Sequence, residues 1–357
     1  MCVSSFDMSD GESEEELPES EVVRRVAFDI GSNATKLQVA DVDTSSGCIC
    51  SVVFEEEVPC SFGVDWKQSK DGLLSNRMQD RGLQVLHMLC KSAVEKGGTR
   101  AATIATEVFR KAGNGEAYLE RVKAEVGLTA SIVTQEQEGR LGFLTAAGLS
   151  GVPRPNLVSW DCGGASFQIC REAFTNKGAS SSALPPLLLF LAPLGVSVVT
   201  AACVEQVQKK DFATVVTPNP VAPAEAEELM AHVRSLLPAV PDWLQGCEGV
   251  VAIGGPNSMF RLATEIVGAL EGSAPVRSFT PAQVRKALGA VVGRSEADLR
   301  ATYCNRELAD PASFVVPKMA LLLAVMDACQ LPRVSFQPAI GSCAGILVSN
   351  ELYPDDQ

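Results

Sequence analysis

Two apolar runs in this chain end on an aspartate, cross a turn of small residues and leave as an alternating strand. In the first, Val26-Ala27-Phe28 leads to Asp29 and Ile30-Gly31-Ser32-Asn33, after which Thr35, Leu37 and Val39 alternate with Lys36, Gln38 and Ala40. In the second, Val158-Ser159-Trp160 leads to Asp161, Cys162-Gly163-Gly164-Ala165-Ser166 makes the turn, and Phe167 to Arg171 departs. A period of two marks strands, and the small residues let the chain reverse tightly. Ile49 to Glu55 adds a third strand to the first set, so the chain opens as a meander and not as a strand–helix–strand unit.

Helical periods follow. Met78 to Lys96 places Leu83, Leu86, Leu89, Cys90 and Ala93 on one side and stops at Gly97-Gly98. Tyr118, Leu119, Val122 and Val126 recur behind a cap at Asn114, and Glu136 to Ala147 reads as a further helix. Ala101 to Ala105 and Ala130 to Val133 are short buried strands between them. Later strands are predicted over Leu187 to Ala192, Gly249 to Ile253 and Arg333 to Phe336. Helices are predicted over Val196 to Lys209, Ala224 to Leu237, after Asn257 to about Leu270, from Thr280, from Ser295, over Pro317 to Gln330 and over Gly341 to Leu352. Thr175 to Pro186 reads as a Ser-rich loop, and Gly148 to Asn156, with Gly151, Pro153 and Pro155, as the domain boundary. The class is α/β. The expected units are a disordered acidic tail (1–20), an N-terminal lobe (21–150), a C-terminal lobe (151–340) and a closing helix (341–352) that packs back on the first lobe.

The chain has 357 residues, 46% hydrophobic and 20% charged, with aromatics at only 6%, so aliphatic cores are expected. Net charge is −13, which argues against a general nucleic-acid or anionic-membrane surface. Twelve Cys form no CxxC pair and only His87 and His232 are present, so a zinc site is not expected. No basic-then-apolar leader opens the chain, and Leu184 to Val199 is broken by Pro185, Pro186, Pro193 and Gly195. The expectation is a cytoplasmic protein with reduced thiols and no membrane span.

Asp29 and Asp161 in matched settings suggest two carboxylates that bind a divalent ion beside turns whose amides hold phosphate oxygens. Each alone could be an ordinary Asx turn, but the repetition favours the phosphate reading. Gly254-Gly255, between a strand and a helix, could aim a helix N-terminus at an anion. Arg110 follows a buried strand and could fork onto phosphate or form a surface ion pair. Glu136 and Glu138 lie in the first turn of a helix, where the residues alone do not single out a general base. Cys162 reads as a small buried hydrophobe.

These residues resemble the exopolyphosphatase/guanosine pentaphosphate phosphohydrolase (Ppx/GppA) family of the actin- and sugar-kinase-like superfamily, from about Val23 to Leu352. Phe28-Asp29-Ile30-Gly31-Ser32-Asn33 with Lys36-Leu37 is similar to its first phosphate motif, and Ala105-Thr106 with Arg110 to its Thr-x-x-x-Arg segment. Glu138-Gly139-Arg140-Leu141 is similar to the segment carrying its catalytic Glu, Asp161 to Ser166 to its second phosphate motif, and Gly254-Gly255 to its later glycine motif.

The resemblance implies two actin-like (ribonuclease H-like) lobes around a central phosphate-binding cleft, and release of terminal phosphate from polyphosphate or guanosine pentaphosphate. It implies Glu138 and Arg110 as catalytic, and Gly31, Ser32, Asn33, Gly163, Gly164, Ser166, Gly254 and Gly255 as phosphate-binding. It further implies Asp29 and Asp161 as ligands to Mg²⁺ or Mn²⁺, and leaves a homodimer open. Ala165 and Gln168 stand where the family motif has Gly and Glu. If the turn needs a positive φ, Ala165 is strained there by about 1 kcal/mol. These departures motivate one alternative, a catalytically silent phosphate or nucleotide sensor of the same fold. A kinase of the superfamily is the other.

Overall fold

One strand order is built twice. β1 (Val22–Ile30), β2 (Ala34–Asp43) and β3 (Cys48–Pro59) form an antiparallel meander, and β4 (Arg100–Ala105) and β5 (Ala130–Ile132) join in parallel beyond β1. In the second sheet β6 (Val158–Cys162), β7 (Phe167–Glu172) and β8 (Leu187–Ala192) repeat the meander. β9 (Val250–Gly254) runs parallel to β6, β10 (Ser278–Phe279) forms the edge, and β11 (Val334–Pro338) lies parallel to β9 between them. This is the duplicated, ribonuclease H-like topology that the resemblance implies. The computed structural model describes residues 22–173, 186–215, 217–303 and 312–354. The acidic tail and the Ser-rich loop up to residue 185 lie outside them.

Alternation along the strands decides which face each aspartate joins. Val26, Phe28 and Ile30 of β1 pack with the helices α1 (Phe62–Gln68), α2 (Asn76–Glu95), α3 (Glu107–Lys111) and α4 (Gly115–Val126). Ala27, one residue before Phe28, packs on the opposite face, and Asp29 shares that side. In the second sheet Trp160, Phe167 and Ile169 face the larger core. Cys170, and with it Gln168 and Asp161 by register, faces α5 (Gln135–Leu149).

α5 precedes the predicted boundary in the chain, yet it packs against the second sheet through Phe143 and Ala146. The larger core is closed by α6 (Val196–Ala202), α7 (Pro223–Leu236), α8 (Met259–Leu270), α9 (Pro281–Val291), α10 (Glu296–Tyr303) and α11 (Val315–Ala328). α12 (Cys343–Val348) returns to the first sheet, where Cys343, Ile346 and Leu347 cover Ala27, Ala40 and Ile104. Buried Arg25 donates to the Leu347 carbonyl at 2.7 Å, and the Tyr353 hydroxyl donates to the Val26 carbonyl at 2.8 Å.

Several expectations shift in detail. The closing helix ends at Val348, and Asn350–Leu352 is a separate 3₁₀ turn. The helix from Val196 changes to a π turn over Cys203–Val207. The helices α1 and α3 were not predicted: at seven and five residues they are too short for a helical period to show.

α5 and α12 cross at close range because Gly345 has no side chain. Its amide donates to Thr145 Oγ1 at 2.8 Å, and a Cβ there would collide with the Leu141 carbonyl. Gly345→Ala is therefore expected to destabilise by about 1–3 kcal/mol, as overpacking does. Gly289→Ala on α9, where a Cβ meets nothing within 4 Å, is expected to stabilise by about 0.5–1 kcal/mol. Urea unfolding of the two variants checks the opposite signs.

Candidate active site

The two turns meet in one cleft with a cavity of about 170 Å³. Its walls include Asp29, Gly31, Ser32 and Asn33 from the first lobe and Asp161, Gly163, Gly164 and Ser166 from the second, with Glu138, Gly254 and Gly255. Arg110 is absent from the lining. The turns also touch: the Ser197 hydroxyl donates to Asn33 Oδ1 at 2.9 Å, and a Cβ on Gly164 would sit 2.6 Å from the Asn33 amide nitrogen. Gly164 is needed for that approach.

Within each hairpin the first glycine amide is already committed. Gly31 N–H donates to the Ala34 carbonyl and Gly163 N–H to the Ser166 carbonyl, each at 3.0 Å. The amides of Ser32, Asn33, Gly164 and Ala165 donate to no protein acceptor among the described residues. These are the donors each turn can offer an anion. Ala165 has no positive φ, so the anticipated strain is absent. The turn reverses without a left-handed residue, because it closes through the Gly163 bond and packs against Gly195.

Cross-strand register sets the partners of both aspartates. Asp29 stands opposite Lys36, and Lys36 opposite Glu57 on β3. Lys36 Nζ lies 3.2 Å from Asp29 Oδ2, which also accepts from the Ser342 amide at 3.2 Å. Burial alone would lower the Lys36 pKa, but Asp29, Glu57 and Asp161 hold the ammonium above its ordinary range. In the second lobe the equivalent place opposite Asp161 is taken by Gln168, whose amide donates to Ser166 Oγ at 3.1 Å. Gln168 thus braces the turn from within.

Glu138 sits in the first turn of α5, ordered by a capping box between Thr134 and Gln137. Arg110 Nη2 donates to Glu138 Oε2 at 2.8 Å, and Nη1 donates to the Val133 carbonyl. Arg110 therefore acts on the cleft through Glu138. Burial pushes the Glu138 carboxyl up to about 8 against the opposing charge and hydrogen bond of Arg110, with Asp161 and Asp29 adding to the rise. Asp161 is pushed up to about 6, again by burial first, with Lys36 opposing and Asp29 reinforcing.

Among the described residues, five carboxylates line the cleft (Asp29, Glu57, Glu107, Glu138 and Asp161) against two lysines, Lys36 and Lys318. Asp29 Oδ1 and Glu57 Oε2 are buried acceptors with no donor among the described residues. Such a donor set fits a hard cation. No group of three or more His, Cys, Asp or Glu converges to cage one among the described residues. Mg²⁺ is commonly held by one or two carboxylates plus water and substrate oxygens.

Lys36 carried a signal in the first motif. Glu57 and Lys318 carried none, since their places depend on strand register and on how α11 docks. The described cysteines are free thiols, and burial raises the pKa of Cys162.

Residues 39–183 match the model of the Ppx/GppA phosphatase family. Over 147 residues the chain is 29% identical to exopolyphosphatase 1 of Mycobacterium leprae, a stretch covering 41% of this chain and 42% of that protein. The match thus spans less than half the length of the curated relatives. The crystal structure of an Aquifex aeolicus member of the Ppx/GppA family matches with a TM-score of 0.68 at 22% identity, covering 94% of this chain and 100% of that one. An exopolyphosphatase from Cytophaga hutchinsonii gives 0.70 at 15% identity, covering 92% and 97%. At these identities the likeness of the structures is one of fold. No described helix is long and apolar enough to cross a membrane.

The raised Glu138 carboxyl has a thermodynamic consequence. Between the ordinary value of 4.5 and about 8 the folded protein holds a proton there that the unfolded chain has released. Stability should therefore fall as pH rises through that window, by up to roughly 1.4 kcal/mol per pH unit. Glu138→Gln should flatten this slope in urea titrations at a series of pH values.

Proposed function

We propose that this chain, a protein of the Ppx/GppA phosphatase type, hydrolyses the terminal phosphoryl group of inorganic polyphosphate or of a phosphorylated guanine nucleotide. The observation that carries this reading is the placement of Glu138. It is held by Arg110 in a buried position, in the same cleft as two matched Asp-turn hairpins.

The work divides among the residues of the cleft. The open amides of Ser32, Asn33, Gly164 and Ala165 would accept the phosphoryl oxygens, and Lys36 would add positive charge to the same group. Gly254-Gly255 would let the substrate pass close to the backbone beside α8. Glu138, once ionised, would take the proton from a water aligned for in-line attack, and its raised pKa makes it a stronger base. Arg110 would orient that carboxylate. Mg²⁺ held on Asp29 and Asp161 would offset substrate charge. Gln168 would keep the second turn in shape without adding charge. Free thiols fit a reducing compartment, and we infer a cytoplasmic setting.

A second cavity, of about 350 Å³, shares Gly254, Gly255 and Asn257 with the cleft and is walled by Leu262, Tyr303, Phe336 and Ile340. Gln38, Glu55, Arg261 and Glu265 line it too, and a space of this mixed character beside the cleft would admit the nucleoside end of a guanine nucleotide.

Phosphate release from tripolyphosphate and from guanosine pentaphosphate, each with Mg²⁺, tests the proposal. Glu138→Gln is expected to lower kcat by roughly 10²–10⁴-fold. In the natural protein kcat/KM should climb with pH toward a midpoint near 8, the free-protein value of Glu138. Mg²⁺-dependent binding of either compound without phosphate release would point instead to a sensor.

A further inference from the structure

Glu107, the first residue of α3, lines the cleft, and the reaction proposed above gives it no task. It is 5% exposed, and burying a carboxylate is costly unless its oxygens find donors. Lys111, one turn further along α3, pairs with Oε1, whereas Oε2 is buried with no donor among the described residues. An ion pair of this spacing ordinarily lies on a solvated helix face, with both side chains in water. Nor does α3 depend on it as a staple, because Val108 and Phe109 already anchor the helix in the core of the first lobe.

Strand register sets this acid beside the open amides of the first turn. Ile30 stands opposite Ala105, and the Thr106 amide donates to the Ile30 carbonyl at 3.2 Å, so the chain leaves β4 alongside Gly31-Ser32. Glu107 comes next and shares the cleft wall with Ser32 and Asn33. Its countercharge stands outside. Lys111 is 40% exposed, lies with Lys67 near the Trp66 ring, and neither lysine lines the cleft. Asp29, by contrast, has its cation, Lys36, on the cleft wall itself. The first turn is thus a place whose backbone receives an anion and whose neighbouring side chain repels one. In a partly buried cleft that repulsion is weakly screened, and a divalent cation carried on the phosphate cancels most of it.

We propose that Glu107 is a charge filter beside the first turn, a specificity-determining residue that admits a phosphate chain in complex with a divalent cation and turns away the bare polyanion. This rests on the reading of the cleft as a site for linked phosphoryl groups. Lys111 sets the strength of the filter from outside, because it compensates part of the Glu107 charge without entering the cleft. The role belongs to binding and not to the attack on phosphorus, so it can be read without turnover.

Calorimetric titration with tripolyphosphate, once in EDTA and once in Mg²⁺, tests this on the Glu138→Gln background. The quantity read is the ratio of the Kd in EDTA to the Kd in Mg²⁺. Glu107→Gln is expected to lower that ratio about tenfold, by tightening the binding of the bare anion while leaving the Mg²⁺ arm within about threefold. Glu107→Asp, which keeps the charge, should leave the ratio within about threefold of its starting value. An unchanged ratio in a folded Glu107→Gln protein, equal tightening in both arms, or the same drop in Glu107→Asp overturns the assignment. Lys111→Met, at a half-exposed position, puts the question with Glu107 in place. The ratio should then rise by about threefold or more, and a ratio that stays or falls also overturns it. A ratio that moves as expected in a protein that releases no phosphate would keep this inference while removing the hydrolase reading. Phosphate release with an unmoved ratio would do the reverse.

Discussion

Burial of several carboxylates in one cleft is the constraint around which the site is built. Asp29, Asp161 and Glu138 come from three different elements and share one cleft. Burial raises the carboxyls of Glu138 and Asp161, and the neighbouring acids add to the rise. Lys36 opposes this from the strand next to Asp29, and Arg110 does so from behind Glu138. An anionic substrate fits such a place only in company with cations.

The duplicated sheet makes this arrangement easy to build. In each lobe the first strand carries an aspartate to its end, the hairpin exposes amides, and the second strand returns a polar residue to the opposite position. The copies have diverged where their tasks differ: Lys36 supplies charge in one lobe, and Gln168 supplies a neutral brace in the other. α5 and α12 lie between the sheets with almost no space separating them.

Much of this was legible in the chain. The two Asp-turn hairpins stood out because a period of two and a run of small residues are local signals. Glu138 became distinguishable from Glu136 only through the family segment around Gly139-Arg140-Leu141. What escaped notice was set by distant parts of the molecule. Glu57 reaches the cleft because β3 pairs in register with β2, and Lys318 because α11 docks beside the Gly254-Gly255 turn. The residues around Arg110 allow either a phosphate contact or an ion pair, since nothing local indicates that Val133 and Glu138 engage its guanidinium. The strain expected at Ala165 presupposed a left-handed turn, and the hairpin closes without one.

The return of α12 to the first sheet has a consequence for biosynthesis. One face of that sheet is covered by Cys343, Ile346 and Leu347, and Tyr353 ties to Val26 across 327 positions of chain. While the ribosome is still making the second lobe, the first has only its α1–α4 side sealed, and Ala27, Ala40 and Ile104 lack their cover. Its maturation must wait until the last helix has emerged. The lobe made first is thus completed last, and premature termination would leave an apolar sheet face open to chaperones or to other nascent chains.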